Sequence, residues 1–405
     1  MLMAPRSLNI AVIGAGPVGL ALAIHAARAL PDASVTLFDA RPAEKDVSGD
    51  PRTLALSLGS VQLLERLGAW RADLAQPILE VHVSQQPPSA PTFLPAFIAD
   101  AIGEPALRIR AVDEAVPLLG AVLSYGSIVA PLQQVWMAAE ATEPKRLRSR
   151  FGTKVAAIKN LAGAVEVDAG IAESFDLAVV AEGGVFAEQA RKALTHNYEQ
   201  TAWVGTVSFT EPRSGAQKGV AYERFTRHGP AALLPLKDGR AGLVWCVPSG
   251  DDPVRELSDS QRITVLNDIF HEAVGRIAGI SALKQFLLGL NAERTLTDGR
   301  TVRIGNAAQT LHPVAGQGLN LGLRDAFELV QSLGRNADVD AVLRSLEWQR
   351  GPDRWAMIAA TDFLARSFTW KLPGAGAARG LGIAALQALG PVKSALARQM
   401  MFGSR

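Results

Sequence analysis

Cysteine is nearly absent from this 405-residue chain, in which Cys246 is the only one. A single cysteine rules out an internal disulfide and any metal cluster built on several thiolates. It suits a reducing compartment, in keeping with the cytoplasmic location that we expect. We predict that Cys246 is a packed core residue.

An excess of charge of one sign is also lacking, since 41 Lys and Arg residues face 39 Asp and Glu residues and the net charge is +2. This balance supplies no general attraction for nucleic acid, and we expect no nucleic-acid partner. Hydrophobic residues make up 48% of the chain and charged residues 20%, which is typical of a soluble globular protein. The length suits two domains around a sizeable core.

No uninterrupted hydrophobic run is long enough to indicate a membrane span. The longest uncharged stretch, Ala115 to Ala139, is broken by prolines and glycines, and a buried strand followed by a helix is expected there. The chain starts with a short segment containing Pro5 and Arg6 that leads directly into an apolar strand, so we expect no signal peptide.

A histidine-based metal site is lacking as well. The six histidines show no ligand spacing and pair with carboxylates in no recognisable metal motif; they are His25, His82, His196, His228, His271 and His312. We therefore predict no metal site.

A glycine-rich loop stands out near the start of the chain. The apolar run Asn9 to Ile13 predicts a buried parallel strand, Gly14-Ala15-Gly16-Pro17-Val18-Gly19 follows at once, and a helical pattern begins after it. A second apolar strand ends in Asp39, 20 residues after the last glycine, a spacing that suits a contact with a ribose hydroxyl. The alternatives are an ordinary glycine turn and a solvated carboxylate at a strand end.

This strand–loop–helix unit predicts a dinucleotide site and does not distinguish FAD from NAD. The residues predicted to contact the cofactor here are Gly14, Gly16, Pro17, Val18, Gly19, Asp39, Ala40 and Arg41.

A second motif lies between Val302 and Asp325. Its pattern predicts a short strand, a polar turn, a loop with proline and glycine, and a helix whose N-terminus is opened by Gly316 and Gly318. A helix end of this kind can hold an anion.

The segment His312 to Asp325 resembles the flavin-contacting signature of the para-hydroxybenzoate hydroxylase superfamily. It is most similar to the ubiquinone-biosynthesis flavin hydroxylases (UbiH type), whose pattern His-Pro-x-Ala-Gly-Gln-Gly-x-Asn-x-Gly-x-x-Asp it matches at every specified position. Further segments resemble the same family in the expected order: Arg52 to Ser57 with the helix after it, and the strands Tyr222 to Thr226, Gly229 to Leu236 and Leu243 to Trp245.

The resemblance implies an α/β fold in which a Rossmann-like FAD-binding domain is interleaved with an α+β substrate domain built on an antiparallel sheet. We assign residues 1–74, 106–184 and 292–345 to the FAD-binding domain, 75–105 and 185–291 to the substrate domain, and 346–405 to a helical C-terminal tail.

The resemblance also implies the chemistry. Bound FAD would be reduced by NADPH or NADH, which binds transiently because no second complete nucleotide motif is present, and O2 would then hydroxylate an aromatic ring. Arg52 is carried over to the flavin or its phosphates, Asn306 to the ribityl chain and Pro313 to the ring pocket. The other residues carried over as cofactor contacts are Val155, Gly305, Gly316, Gln317, Gly318, Leu319 and Asn320.

No catalytic residue can be assigned from the sequence. For His312, packing or capping within the loop is favoured over catalysis, and the proton of the phenol has no obvious acceptor.

The chain departs from the superfamily pattern at three positions. Asn306 and Gln309 replace the usual Asp and His, and Glu182 replaces the usual Asp after an apolar strand. An Asn amide can still hydrogen-bond a ribityl hydroxyl, whereas a role for Glu182 stays open. The Asn and Gln pair resembles the branch that hydroxylates 2-polyprenyl-6-methoxyphenol. The alternatives are a flavin monooxygenase acting on a soluble aromatic and a flavin-binding assembly subunit without turnover.

The end of the chain alternates apolar stretches, such as Ile383 to Leu389, with cations such as Lys393 and Arg398. Such a helix either caps the core, the favoured interpretation, or docks on an anionic membrane surface. The expected partners are the prenylated phenol and O2, with the inner face of the membrane, a ubiquinone-biosynthesis complex and a second copy of the chain as further candidates.

Overall fold

The structure is a computed structural model that describes residues 7–86, 106–183, 192–211, 218–270, 274–336, 338–367 and 375–403. Several predicted features lie outside these residues: the boundary at residue 185, His271, the break at Pro373, and most of the predicted substrate-domain segment 75–105.

The nucleotide-binding layer is a six-stranded sheet with the order β19-β20-β12-β1-β2-β8. Its strands are β1 Asn9–Ile13, β2 Ser34–Asp39, β8 Leu147–Phe151, β12 Leu177–Val180, β19 Thr297–Asp298 and β20 Thr301–Arg303. All neighbours in it are parallel except β19 and β20. The central strands β1 and β12 are almost entirely apolar because both faces of the sheet are covered.

Three helices pack on one face of this sheet, namely α1 Pro17–Ala29, α3 Tyr125–Thr142 and α5 Gln317–Arg335. A three-stranded antiparallel sheet is formed by β3 Thr53–Ser57, β7 Gly120–Ser124 and β4 Gln76–Ile78, with β7 in the centre. Helix α2 Leu58–Arg66 follows β3 directly. The strand and helix expected between Ala115 and Ala139 are therefore present as β7 and α3. A small antiparallel sheet is formed by β9 Ala157–Leu161, β10 Ala164–Asp168 and β11 Ala172–Phe175.

The second layer is a nine-stranded sheet, mainly antiparallel, in the order β21-β18-β13-β16-β15-β14-β5-β6, with β17 paired to β13. Its strands are β5 Glu80–Gln85, β6 Ala106–Arg110, β13 Leu194–Phe209, β14 Val220–Phe225, β15 Pro230–Pro235, β16 Ala241–Pro248, β17 Ile277–Ile280, β18 Lys284–Ala292 and β21 Gln309–Thr310. Helix α4 Asp259–Ile269 covers one face with a core around Trp203, Leu243 and Trp245.

Three helices complete the described chain: α6 Val339–Ser367, α7 Ala375–Ala388 and α8 Gly390–Phe402. The α/β fold, the antiparallel second domain and the helical C-terminal region are thus confirmed.

Two predicted domain boundaries differ from the structure. The boundary at 105/106 precedes β6, which belongs to the antiparallel sheet because it pairs with β5, with Leu107 and Ile109 buried and Arg108 and Arg110 exposed. The boundary at 345/346 falls inside α6, which starts at Val339. The buried side chains of Leu343 and Leu346 lie on either side of the predicted boundary and belong to the same helix.

Among the described helices, none is by itself long and apolar enough to span a bilayer, although the segments Ala378–Ala388 and Gly390–Phe402, bent by 95°, meet the length and composition test as a pair.

Candidate functional site

The glycine loop connects β1 to α1 beneath the carboxyl ends of the parallel strands. Gly14 has φ +104°, a conformation that L side chains rarely adopt, and its N–H donates to the Phe38 carbonyl at 2.8 Å. A Cβ on Gly19 would lie 1.9 Å from the Gly14 carbonyl oxygen, so this position requires glycine for the close approach of helix and loop. At Gly16 the nearest atom to an added Cβ would be the Tyr125 hydroxyl, 3.6 Å away, and the loop is open on that side.

Asp39 lies at the end of β2 and closes the loop. Its Oδ2 accepts a hydrogen bond from the Ala15 N–H at 2.5 Å, and its Oδ1 accepts one from the Arg41 N–H at 2.8 Å. The Arg41 guanidinium donates to the Ala15 carbonyl at 3.1 Å. The Asp39 carboxylate, which is predicted to contact the ribose, therefore also stabilises the conformation of the glycine loop.

A cleft of about 690 Å³ opens above this loop, within the size range of small-molecule sites. Among the predicted residues, it is lined by Gly14, Gly16, Asp39, Ala40, Arg41 and Asn306. Pro17, Val18 and Gly19 are buried in the first turn of α1, and Val155 packs on the small core around Phe38 and Phe175.

The residues around the cleft suit FAD. The first hydrogen bond within α1 runs from the Leu20 N–H to the Gly16 carbonyl. The N–H groups of Val18 and Gly19 precede it in the first turn, so the helix itself offers them no acceptor. Such a helix end, open at Gly16 and next to Arg41, attracts a pyrophosphate.

Asn306 lies in a short 3-10 turn, Gly305–Ala307, and its exposed side chain borders the cleft. A Cβ on Gly183 would come within 2.5 Å of the Asn306 Cβ, so the segment after β12 lies directly against this turn. The neighbouring Glu182 also lines the cleft, and burial, followed by the nearby Asp39 carboxylate, raises its pKa. The departures at 182 and 306 are thus brought together at the cleft.

The second motif forms a loop that we call the signature loop, residues His312 to Gly316, leading into α5. Gly316 has φ +60°, and its N–H donates to the Pro313 carbonyl at 2.9 Å, so one of the predicted anion-binding amides already serves the loop itself. The amides of Gly318 and Leu319 lie in the first turn of α5, where the helix offers them no acceptor.

His312 is buried and supports this loop. The Val314 N–H donates to its Nδ1 at 3.2 Å, so the ring carries its proton on Nε2, which lies 3.1 Å from the Gln200 Oε1. Burial lowers the pKa of His312 to about 4, and the ring is neutral at pH 7. The two ring contacts of His312 agree with the packing role that the sequence favours for this residue.

Asn320 has a different environment from the one expected of a cofactor contact. Its Oδ1 accepts hydrogen bonds from the Ser57 N–H and the Ser60 hydroxyl, both at 2.8 Å. Its Nδ2 donates to the Ala55 and Gly316 carbonyls at 3.1 and 3.0 Å. The buried side-chain amide of Asn320 therefore joins α5 to β3 and α2. A contact between Asn320 and the cofactor stays a prediction, and it would involve the backbone of this residue.

Arg52 precedes β3 at the edge of the same region. It forms a forked ion pair with Asp50 at 2.8 Å and stacks over the Tyr125 ring, with 4.2 Å from its guanidinium carbon to the ring centroid. The hydrogen bonds to Asp50 raise the pKa of Arg52. Because Tyr125 lines the cleft, the stacking places Arg52 next to it.

Three charged residues at the cleft were not predicted: Lys192, Glu293 and Arg303. Lys192 donates to the Ala307 carbonyl and lies 3.8 Å from Glu293, and burial lowers its pKa. No local motif marks Lys192 or Glu293, whereas Arg303 lies at the start of the second motif, beside Val302. Among the residues that the structure describes, no group of three His, Cys, Asp or Glu side chains could hold a metal ion.

Comparison with known proteins agrees with this geometry. Residues 176–361 match a family model described as an FAD binding domain. The ubiquinone hydroxylase UbiL of Rhodospirillum rubrum is 29% identical over 98% of this chain and 90% of its own length. The 3-demethoxyubiquinol 3-hydroxylase of Escherichia coli is 27% identical over 96% of this chain and 97% of its own.

Among solved structures, HpxO of Klebsiella pneumoniae in complex with FAD superposes with a TM-score of 0.71 at 15% identity, covering 98% of this chain and 99% of that one. PqsL of Pseudomonas aeruginosa, a probable FAD-dependent monooxygenase, gives a TM-score of 0.69 at 18% identity over 93% of this chain and 99% of that one. At these identities the likeness concerns the fold.

Proposed function

We infer that this chain belongs to the ubiquinone-biosynthesis flavin hydroxylases of the para-hydroxybenzoate hydroxylase superfamily, and from that premise we propose that it hydroxylates 2-polyprenyl-6-methoxyphenol. It is an FAD-dependent monooxygenase. Two ubiquinone hydroxylases are similar to this chain over nearly its full length, and this similarity is the main support for a ubiquinone precursor as the substrate. The signature loop, which matches the family pattern at every specified position, supports the same choice. Asn306 at the cleft and Gln309 behind it support this branch.

In the proposed reaction, NADPH or NADH supplies two electrons, one atom of O2 enters the ring as a hydroxyl group and the other leaves as water. When bound, FAD supplies the oxygen activation that protein side chains lack. The chain's own residues bind and orient: the first turn of α1 and Arg41 hold phosphates, Asn306 and Asp39 face hydroxyl groups, and the first turn of α5 stabilises negative charge at the ring.

The activity is tested with purified protein reconstituted with FAD. The protein is expected to show flavin bands near ~370 and ~450 nm. NAD(P)H oxidation is expected to rise on addition of a prenylated methoxyphenol, with one hydroxylated product formed per NAD(P)H consumed.

The same phenol without its prenyl tail is the control. Faster turnover of the tail-less phenol favours a soluble aromatic substrate instead. FAD binding without NAD(P)H oxidation or product favours the assembly subunit.

We place the protein in the cytoplasm at the inner face of the membrane, where a polyprenyl chain resides. The helices α7 and α8 support this, because they carry the exposed apolar side chains Leu381, Leu389, Val392 and Leu396. Ile383 and Leu386, on the opposite side, pack against the core around Val122 and Met401. The same helix pair therefore caps the core and presents an apolar face. A ubiquinone-biosynthesis complex and a homo-oligomer are further proposals for this face.

Replacing Leu381 and Leu389 together with Glu is expected to reduce sedimentation with anionic liposomes at least about tenfold, since each buried Leu contributes ~1.5–3 kcal/mol to partitioning. The matched control is Val112→Glu with Ile171→Glu, two apolar residues elsewhere that are exposed at 77% and 75%, more than Leu381 and Leu389 at 69% and 54%. Equal binding by both double variants would contradict the docking proposal.

A further inference from the structure

Glu223 is an acidic residue in the middle of β14, within the Tyr222-Glu223-Arg224-Phe225 segment. It lies opposite Ala232 of β15, and Ala232 lies opposite Val244 of β16. Directly opposed residues in a sheet point to the same face, so this row of side chains shares one side of the large sheet.

That side of the sheet faces the flavin-binding domain. Val244 packs against the cluster that contains Ile358 of α6 and Leu311, the residue before the signature loop. The other side carries Trp203 and Trp245 and is covered by α4.

The neighbours of Glu223 lead to the signature loop itself. Val83 of β5 is paired with Glu223, and Phe225 lies two residues further along the same face of β14. Val83 packs against the pair formed by Phe225 and Val314, and Val314 is the centre of the signature loop. Glu223 is therefore on the same face of the sheet as Val83 and Phe225, the two side chains that pack with the signature loop.

The environment of Glu223 is apolar. No side chain within the described ranges donates to its carboxyl group or forms an ion pair with it. The groups that face it from β15, β5 and β16 are Ala232, Val83, Val244 and the Cys246 thiol, whose pKa is raised by burial and then by the Glu223 charge.

Glu223 nevertheless keeps some accessible surface. A carboxyl group that is surrounded by apolar side chains and has no ion-pair partner in the described part of the chain is able to accept a hydrogen bond from a ligand's hydroxyl group.

We propose that Glu223 binds the hydroxyl group of the phenol and accepts its proton during hydroxylation. This inference rests on the proposed function. The O–H bond of the phenol breaks, the proton moves to the Glu223 carboxylate, and the electron pair stays on the ring oxygen, which makes the ring a better nucleophile toward the incoming oxygen atom. As the new C–O bond forms, the ring carbon loses its own hydrogen as a proton, so that of the two protons one returns to the phenol oxygen and the other leaves with the second oxygen atom in water.

Burial raises the pKa of Glu223 to about 8, between that of an ordinary carboxylic acid and that of a phenol. The basic form of Glu223 is then the minority form at pH 7 and becomes dominant above pH 8. Product formation by the holoenzyme is therefore expected to rise about tenfold per pH unit below this pKa and to level off above it.

The test compares wild-type holoenzyme with Glu223→Gln, which keeps the size of the side chain. The variant is expected to retain FAD and thermal stability, to form product ~10²–10⁴-fold more slowly, and to lose the rise with pH. Glu80→Gln on the neighbouring β5, where Glu80 lies 4.0 Å from Arg108, is the matched control and is expected to behave as wild type.

A second measurement works without turnover. The ultraviolet difference spectrum of a bound prenylated methoxyphenol above pH 8 is expected to show less phenolate in the wild type than in Glu223→Gln, because the ionised Glu223 carboxylate disfavours a second negative charge beside it.

Equal phenolate content and equal pH profiles in the two proteins would overturn the role of Glu223. A difference in phenolate content between the two proteins without any hydroxylated product would overturn the proposed function and leave the role of Glu223 in binding intact.

Discussion

A Gly16→Val protein is expected to fold with wild-type stability and to be purified without FAD. Gly16 has φ −80° and ψ −176°, an extended conformation that valine adopts readily, and an added Cβ would lie 3.6 Å from the Tyr125 hydroxyl in ordinary contact. The substitution therefore costs the protein little. The added methyl groups would instead occupy the approach that a pyrophosphate needs at the start of α1.

The matched control is Gly19→Val in the same loop. There the Cβ would lie 1.9 Å from the Gly14 carbonyl oxygen, and backbone atoms would have to move. This variant is expected to lose several kcal/mol of stability together with the cofactor.

Thermal unfolding and the ratio of flavin to protein absorbance separate the two variants. The site assignment fails if Gly16→Val binds FAD as tightly as the wild type, and the expected loss is at least about 100-fold in Kd.

An Asp353→Ala protein is expected to lose ~3–5 kcal/mol of stability, because the substitution leaves buried cations without their counter-ion. Asp353 in α6 is completely buried and pairs with Arg324 of α5 at 3.1 Å and with Arg350 at 2.8 Å. It also accepts a hydrogen bond from Gln399 of α8 at 2.6 Å.

This network extends to the residue that directly follows the signature loop. Arg324 donates to the side-chain oxygen of Gln317, the first residue of α5, at 3.3 Å. Loss of Asp353 is therefore expected to weaken FAD binding as well as stability. In a chain of this size the thermal midpoint should fall by about 4–6 °C.

Asp340→Ala is the control for this effect. Asp340 pairs with Arg300 at 2.9 Å, but half of its side chain is exposed, and surface pairs contribute ~0–1 kcal/mol. Similar midpoints for the two variants would show that the buried network does not stabilise the junction of α5, α6 and α8.

The same network shows a feature of α6 that the sequence pattern does not reveal. Charged residues such as Arg350, Asp353 and Arg354 look like a solvated helix face when only the pattern is available. In the structure they are buried because each one finds a partner: Asp325, Arg324 and Gln309, respectively. A partner contributed by another helix leaves no trace in local periodicity.

The sequence by itself determined the strand, loop and helix around Gly14 to Gly19, the signature loop and its helix, and the flavin-hydroxylase family. These features are local: a turn at φ +104°, a close approach at Gly19 and a helix opening at Gly316 each depend on a few consecutive residues. Backbone geometry restricts which residue types such positions accept, so a short pattern is enough to recognise them.

The tertiary structure alone decided what these segments meet. It placed β6 in the large sheet, committed the Asn320 amide to α2 and β3, gathered Lys192, Glu293 and Arg303 at the cleft, and directed Glu223 toward the signature loop. Each outcome depends on strand register or on helix packing between residues far apart in the chain. A one-residue shift in the register of β14 would turn Glu223 to the opposite face of the sheet, and the cooperative packing of the core selects that register.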